Sequence, residues 1–309
     1  MINVQRLRIL REIVRHGGMT RAAAALYMTP SAVSQQMAIL ERETGVTLLE
    51  RHGRGVRTTD AGAMLVAHAE EVLAALEAAD ADLAAVREGV AGTLRVCAFP
   101  SAARALMIPA IQRLRELYPR LVVTMEDLEP EESLPMLAAG DLDLVFDYQH
   151  DLTPDPHDPG IERRLLVTEQ VRLALPADHP LAAETVRMAD LRDETWVVGR
   201  DASSFLEVVM LAASQAGYVP RIDIHSNDFQ VILAAVGAGL GVTLVPALGL
   251  LTEYPRISFK ALEDLDLHRR VLTAIRRGTA TSPRIAAALE VLEAVATDMA
   301  AQTTGVRAS

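Results

Sequence analysis

The chain has 309 residues, a formal net charge of −11 and a single cysteine, Cys97. That length fills two or three domains. The charge excludes a protein that coats nucleic acid non-specifically, and the lone cysteine excludes an intrachain disulfide or a cysteine metal cluster.

No stretch approaches the ~20 uninterrupted apolar residues of a membrane span. The start, MINVQRLRILREIV, lacks a secretory cleavage signal. A cytoplasmic protein with no membrane partner is expected. Its charge is uneven: residues 1–60 hold nine Arg and no Lys against five acids, a surplus of four that leaves −15 for the remainder. A basic head on an acidic body binds DNA at one end only.

In chain order, the pattern predicts a first helix over Val4–His16, with Val4, Leu7, Ile9, Leu10, Ile13 and Val14 as its apolar stripe and Gly17-Gly18 ending it. Its Arg6 and Arg8 are within reach of phosphate, although a solvated face explains them better. A short alanine-rich helix, Arg21–Leu26, follows, joined by Tyr27-Met28 to a helix over residues 29–44. Thr29 suits the N-cap and Pro30 the first helical position, where its missing N–H costs nothing. Val33, Met37, Leu40 and Thr44 recur at helical spacing and form the buried face. Ser31, Ser34, Gln35, Ala38 and Arg42 are left outside: small, polar or cationic. Gln pairs two-pronged with adenine, Ser reaches a base or a phosphate, and Arg reads guanine or neutralises phosphate. Two helices and a tight turn make a helix-turn-helix. Leu48–Thr59 then reads as a two-stranded wing with Gly53 and Gly55 near its tip, and with Arg51, Arg54, Arg57 and Thr58 placed to grip phosphates.

The run TRAAAALYMTPSAVSQQMAILERETGVTLLERHGRGVRTTDAG, from Thr20 to Gly62, resembles the N-terminal domain of LysR-type transcriptional regulators over some forty residues without a gap. It departs at Leu49, where that family usually has Phe; both are apolar and pack under the wing. The resemblance implies a winged helix-turn-helix over 1–59 with base contacts from Ser34 and Gln35. Backbone contacts fall to Thr29, Pro30, Ser31, Arg51, Arg54 and Thr58.

Thr59 and Asp60 open a long helix running to about Arg87. Within it Leu65, Ala69, Val72, Leu76, Ala79, Leu83 and Val86 keep alternating spacings of four and three, a heptad seam over three repeats. Such a stripe between two globular domains calls for a second copy, so 60–89 is expected to dimerise the chain. Packing on its own domain would explain the same stripe.

From Gly92 strands alternate with helices, which implies a parallel sheet with flanking helices. Strands fall at 93–99, 121–126 and 142–146, with helices at 103–117 and 133–139 between them. A Pro- and Asp-rich loop, 147–160, leads to a second series: strands near 161–168, 171–175 and 196–199, a helix at 204–215, a strand at 222–225, a helix at 228–238 and a strand at 242–245. A closing strand, 271–275, and a helix from Pro283 return to the first lobe. The domain 90–309 is therefore expected as lobe one, about 90–160 plus 271–309, and lobe two, about 161–270, with a hinged cleft between them. FPSAARALMIPAI (99–111) and VILAAVGAGLGVTLVP (231–246) resemble the LysR effector domain, itself like periplasmic binding proteins. The fold class expected is α plus α/β.

Ligands in open α/β sheets collect beyond the carboxyl ends of strands. Three loops qualify: Pro100-Ser101-Ala102, Ser203-Ser204-Phe205 and Asn227-Asp228-Phe229. Each sits at a helix N-terminus, where free N–H groups favour an anion, although capping explains the serines as well. Asp147 or Tyr148 is expected at the hinge, and Arg104 and Arg200 are both candidate counter-ions. Some LysR relatives respond to peroxide, but that switch generally needs a second cysteine; Cys97, in a strand, reads as a buried thiol. DYQHDLTPDPHDP matches no metal-ligand spacing and reads as a solvated connector. GAGLGV follows a helix and leads into a strand, the reverse of a dinucleotide fingerprint. No metal or cofactor is expected, and no nucleophile elbow or phosphate loop suggests an enzyme. A solute-binding protein would explain 92–309 but not the basic head.

The resemblance implies a dimer, or dimer of dimers, on a promoter inverted repeat, responding to a small anionic effector. RNA polymerase is a candidate further partner.

Overall fold

In a computed structural model of the chain, residues 2–52, 55–153, 158–200, 204–250 and 254–309 are described; side chains of 51, 52, 55, 77, 78, 80–82, 84–88 and 204 are not. The head comprises α1 (Val4–His16), α2 (Met19–Ala25), α3 (Pro30–Thr44) and an antiparallel hairpin, β1 (Leu49–His52) with β2 (Gly55–Thr58). Asn3 caps α1 by accepting from the Gln5 N–H, and Thr29 caps α3 by accepting from Ala32 N–H. Ile9, Leu10, Ile13, Val33, Met37, Leu40 and Leu48 pack into one core, against which Leu49 is partly buried. Each such side chain contributes about 1.5–3 kcal/mol.

Helix α4 (Asp60–Glu88) is a single 29-residue rod. The seam along it is divided. Leu65 packs on the head core and Ala69 is fully buried, whereas Val72, Leu76 and Leu83 are 40 %, 46 % and 66 % exposed. Val86 lies outside the described side chains. Thus the N-terminal part of the stripe is buried within the chain, because α4 leans on α1, and the exposed stripe starts at Val72. Leu73 and Ala74, off the seam, are buried as well.

The C-terminal domain contains β3 (Gly92–Cys97), α5 (Pro100–Ala102) running through a π turn at Ala103–Met107 into α6 (Ile108–Leu117), β4 (Leu121–Glu126), α7 (Pro130–Ala139) and β5 (Leu144–His150). There follow β6 (Ile161–Pro176), β7 (Thr195–Val198), α8 (Ser204–Gln215), β8 (Arg221–His225), α9 (Phe229–Gly237), β9 (Thr243–Pro246), β10 (Ile257–Lys260), β11 (His268–Arg276), α10 (Pro283–Gln302) and β12 (Val306–Ala308).

Two corrections to the sequence reading matter for function. First, the sheet is mixed: β3 is parallel to β4 and β5, but β11 is antiparallel to β5 and β6. The chain comes back from lobe two along β11, against the direction of lobe one's own strands. Second, 161–168 and 171–175 are one strand. The first half of β6 pairs with β11 and β12 in lobe one, and its second half pairs with β9 and β10 in lobe two. Residues 161–169 therefore belong to lobe one. Its core and that of lobe two are separate clusters, with α10 packed on the first and α8 and α9 on the second.

Candidate functional site

On α3 every residue assigned to the outward face is exposed, Ser31, Ser34, Gln35, Ala38 and Arg42, as is Pro30 at its first position. Beneath them Val33 and Leu40 have no exposed surface, so the helix is anchored from behind and free in front. Thr29 and Ser31 hydroxyls lie 3.0 Å apart, which orders the leading turn. Glu41 was not singled out by sequence, yet its Oε1 accepts from Leu48 N–H at 2.9 Å and Leu49 N–H at 3.3 Å and so ties α3 to the wing. Tyr27, read only as a connector, holds a left-handed φ of 53° in the turn and is 98 % exposed. Arg57 is exposed and Thr58 half-buried on β2, the side chain of Arg51 is not described, and Arg54 lies outside the described residues. Arg6 is not free for phosphate: it donates to Gln36 at 3.0 Å and pairs with Glu43.

The second site is the cleft between the lobes, lined by Phe99, Pro100, Ser101, Glu129, Tyr148, Gly199, Phe205, Ser226, Asn227, Phe229, Ile232 and Arg269. The space left is about 20 Å³, room for about one water. Of the residues expected here, Pro100, Ser101, Phe205 and Phe229 line it. Ala102 is instead buried in the lobe-one core, because its small side chain faces inward from α5. Asp147 is taken: Arg163 Nε donates to it at 2.7 Å and Tyr148 N–H at 2.8 Å. Ser203 lies outside the described residues, as does the side chain of Ser204. Arg104 reaches across the lobes to donate to the Gly249 carbonyl at 3.4 Å, and Arg200 is exposed.

Strand β5 continues past the expected loop start at Asp147 to His150, because Arg163 satisfies the aspartate within the sheet. That extension builds the floor of the cleft. The register places His150, Arg269 and Glu169 side by side on β5, β11 and β6, and directly paired residues project from the same face. Arg269 donates to Glu169 Oε1 at 2.6 Å and to Ser101 Oγ at 3.0 Å. Its guanidinium also lies 4.9 Å from the Phe99 ring centroid and 5.4 Å from that of Tyr148. Glu169 Oε2 accepts from Leu248 N–H at 2.6 Å. Burial pushes the Glu169 carboxyl up, and Arg269 pulls it back. Sequence reading missed Arg269 because nothing in the pair Arg269-Arg270, ahead of residues 271–275, marks which of the two is buried.

Glu129, also missed, precedes α7 and accepts from the Tyr148 hydroxyl at 3.1 Å. Burial raises its pKa to about 7, with Glu131 and Asp127 adding to the rise and Tyr148 and Arg269 opposing it. His150 was expected in a solvated connector but is 1 % exposed, and neither ring nitrogen has a hydrogen-bond partner among the described residues. Its ring stands 5.3 Å from Tyr148 and 5.5 Å from Phe205, which in turn meets Phe229 at 5.4 Å. Burial first, then Arg269 and Arg270, lower its pKa from 6.5 to about 3.

A pH dependence follows. The unfolded chain protonates His150 below about 6.5, while the fold holds it neutral down to about 3. Its contribution to stability is complete above the upper value and is lost as pH falls through that window. Glu129 acts oppositely, since its raised pKa withdraws stability as pH rises from 4.5 to about 7. His150→Phe is expected to flatten the acid limb of a melting-temperature curve taken across these pH values; an unchanged limb would exclude His150 as its source.

Cys97 is fully buried, its thiol pushed up to about 11 by burial. Among the described residues no group of His, Cys, Asp or Glu is disposed to hold a metal, and no helix is long and apolar enough to cross a membrane.

Comparison with known proteins gives both halves a family. Residues 4–63 match the bacterial regulatory helix-turn-helix model of the lysR family, and residues 87–297 match the LysR substrate binding domain. The transcriptional dual regulator GltC of Bacillus subtilis is 28% identical over 262 residues, 84% of this chain and 85% of that protein. The HTH-type transcriptional regulator TtuA of Agrobacterium vitis is 30% identical over 233 residues, 73% of this chain and 74% of its own. A full-length OxyR variant from Pseudomonas aeruginosa superposes with a TM-score of 0.68 at 22% identity, covering 98% of each chain, which shows the fold. These relatives are regulators rather than enzymes. With a helix-turn-helix head and a two-lobed effector-binding domain joined by one long helix, the chain belongs to the LysR family of transcriptional regulators.

Proposed function

We propose that α3 enters the major groove of a promoter inverted repeat, with Ser34 and Gln35 on base edges. Thr29, Pro30, Ser31, Arg51, Arg54 and Thr58 contact the backbone, and Tyr27 flanks them. The observation that carries this is the uninterrupted small and polar face of α3, backed by a fully buried apolar one. A full-length CbnR, whose structure was solved in complex with its target DNA, shares the fold with a TM-score of 0.56 at 24% identity. Two copies joined through Val72, Leu76, Ala79 and Leu83 present two heads to a two-fold site, and pairs of dimers extend the contact. The protein works in the bacterial cytoplasm, where its promoter and RNA polymerase are.

A small molecule in the cleft, against Pro100, Phe205, Phe229, Tyr148 and Arg269, shifts the lobes and with them the heads. The anionic character first expected of it rested on helix N-termini alone.

The test is a gel shift on DNA upstream of the gene, at two salt concentrations and against unrelated competitor. A competitor-resistant, salt-sensitive shift is expected. Gln35→Ala is expected to cost about 1–3 kcal/mol and to relax one base position. An unchanged ratio of operator to scrambled binding would reject this orientation of α3.

A further inference from the structure

We propose that the effector is a cation: a primary ammonium or guanidinium on an apolar body, seated in the cleft with Glu129 as its counter-ion. This rests on the reading of the cleft as the effector site.

Three features of the cleft carry it. First, its own cation is already satisfied. Arg269 is 2 % exposed, bound to Glu169 and Ser101 and stacked on Phe99 and Tyr148. An incoming carboxylate would compete with Glu169 for Arg269 and would meet Glu129 as well. Second, among the described residues the carboxylates around the space make no ion pair, and Arg269, whose charge reaches Glu129, is committed to Glu169. Among the described residues, Glu129 has the Tyr148 hydroxyl as its partner and no ion pair. Asp127, beyond β4 on lobe one, feels Asp228 of lobe two, whose charge, after burial, raises the Asp127 pKa. Third, the anion position at the α9 N-terminus is filled from within, since Asp228 Oδ1 accepts from Gln230 N–H at 2.8 Å.

The remaining walls are apolar or aromatic: Phe99, Phe205, Phe229 and Ile232. An ammonium donates to Glu129 and to the Tyr148 hydroxyl oxygen, while its carbon body lies against the phenylalanines. Glu129, held back from full ionisation by burial, ionises when the cation arrives. Since the closed space holds about 20 Å³, the lobes part to admit the ligand and close over it.

Matched pairs test the sign of the charge: phenethylamine against hydrocinnamate, and putrescine against succinate, titrated calorimetrically into the full-length chain. At least one amine is expected to bind about tenfold or more tighter than its paired acid. Glu129→Gln, which keeps an acceptor for Tyr148, is expected to abolish that preference. Tighter binding of the acids, no amine binding at millimolar concentrations, or amine binding indifferent to Glu129→Gln overturns the proposal. The operator gel shift of the unliganded wild-type chain is read separately. Loss of DNA recognition would count against the regulator reading, and failure of the amines with DNA binding intact counts against the charge assignment alone.

Discussion

Glu169→Ala is expected to destabilise the chain by about 3–5 kcal/mol, measured as a lowered urea midpoint at unchanged slope. Glu169 is fully buried, Arg269 is 2 % exposed, and the two meet at 2.6 Å in the centre of the sheet that joins the lobes. Removing the carboxylate leaves a guanidinium in an apolar surround with Ser101 as its remaining hydrogen-bond partner among those described. It also strands the Leu248 N–H, which the same carboxylate accepts at 2.6 Å. Replacing both charges, Glu169→Leu with Arg269→Met, should cost less than the single change, because no buried charge is then left unpaired. A loss below about 1 kcal/mol for Glu169→Ala would mean that water reaches the pair. The position matters beyond stability. Glu169 lies on β6, close to where that strand passes from one lobe's sheet into the other's, so the pair stiffens the segment about which the lobes open.

The second large effect is expected where the head joins the long helix. Gly62 is buried in the first turn of α4, and a β-carbon there would fall inside the van der Waals shell of the Leu48 backbone oxygen. That carbonyl is fixed, since it accepts from Thr59 N–H at 3.0 Å. The Thr59 hydroxyl in turn donates to Thr47 O at 2.8 Å and accepts from Gly62 N–H at 3.0 Å. Gly62→Ala must therefore displace backbone rather than a side chain, at a cost of about 3 kcal/mol. A lowered melting temperature of the head and weaker operator binding are expected together, because the same shift tilts the wing against α4. An unchanged melting temperature would show that the junction relaxes without strain.

Much of the head was legible from the chain alone because its information is local. Thr29 with Pro30 and Gly17 mark helix ends through contacts a few residues long, and Val33, Met37 and Leu40 mark a buried face by spacing alone. The polar face of α3 follows as what spacing leaves over. The same holds for the alternation of strands and helices from Gly92 onward, which identified the fold class before any contact was known.

The cleft was only partly legible. Pro100, Ser101, Phe205 and Phe229 sit on loops whose place follows from strand order. The charges that set its chemistry do not. Arg269 and Glu169 are 100 residues apart, and nothing near either reports that the other neutralises it. His150 looked solvated because aspartates and prolines follow it; Arg163, thirteen residues further on, holds Asp147 within the sheet, and the continued strand carries His150 in between Tyr148 and Phe205. Likewise the heptad of α4 could not reveal that Leu65 packs on the head and Ala69 is buried while Val72 and Leu76 are left exposed. Periodicity specifies which side chains share a face, so the sequence by itself determined the elements, the class of the fold and which face of α3 is left polar and outward. Which face meets which, and which buried charge finds a partner, depends on segments brought together from across the chain. Tertiary structure alone decided which charged side chains line the cleft between the lobes and how little space it leaves.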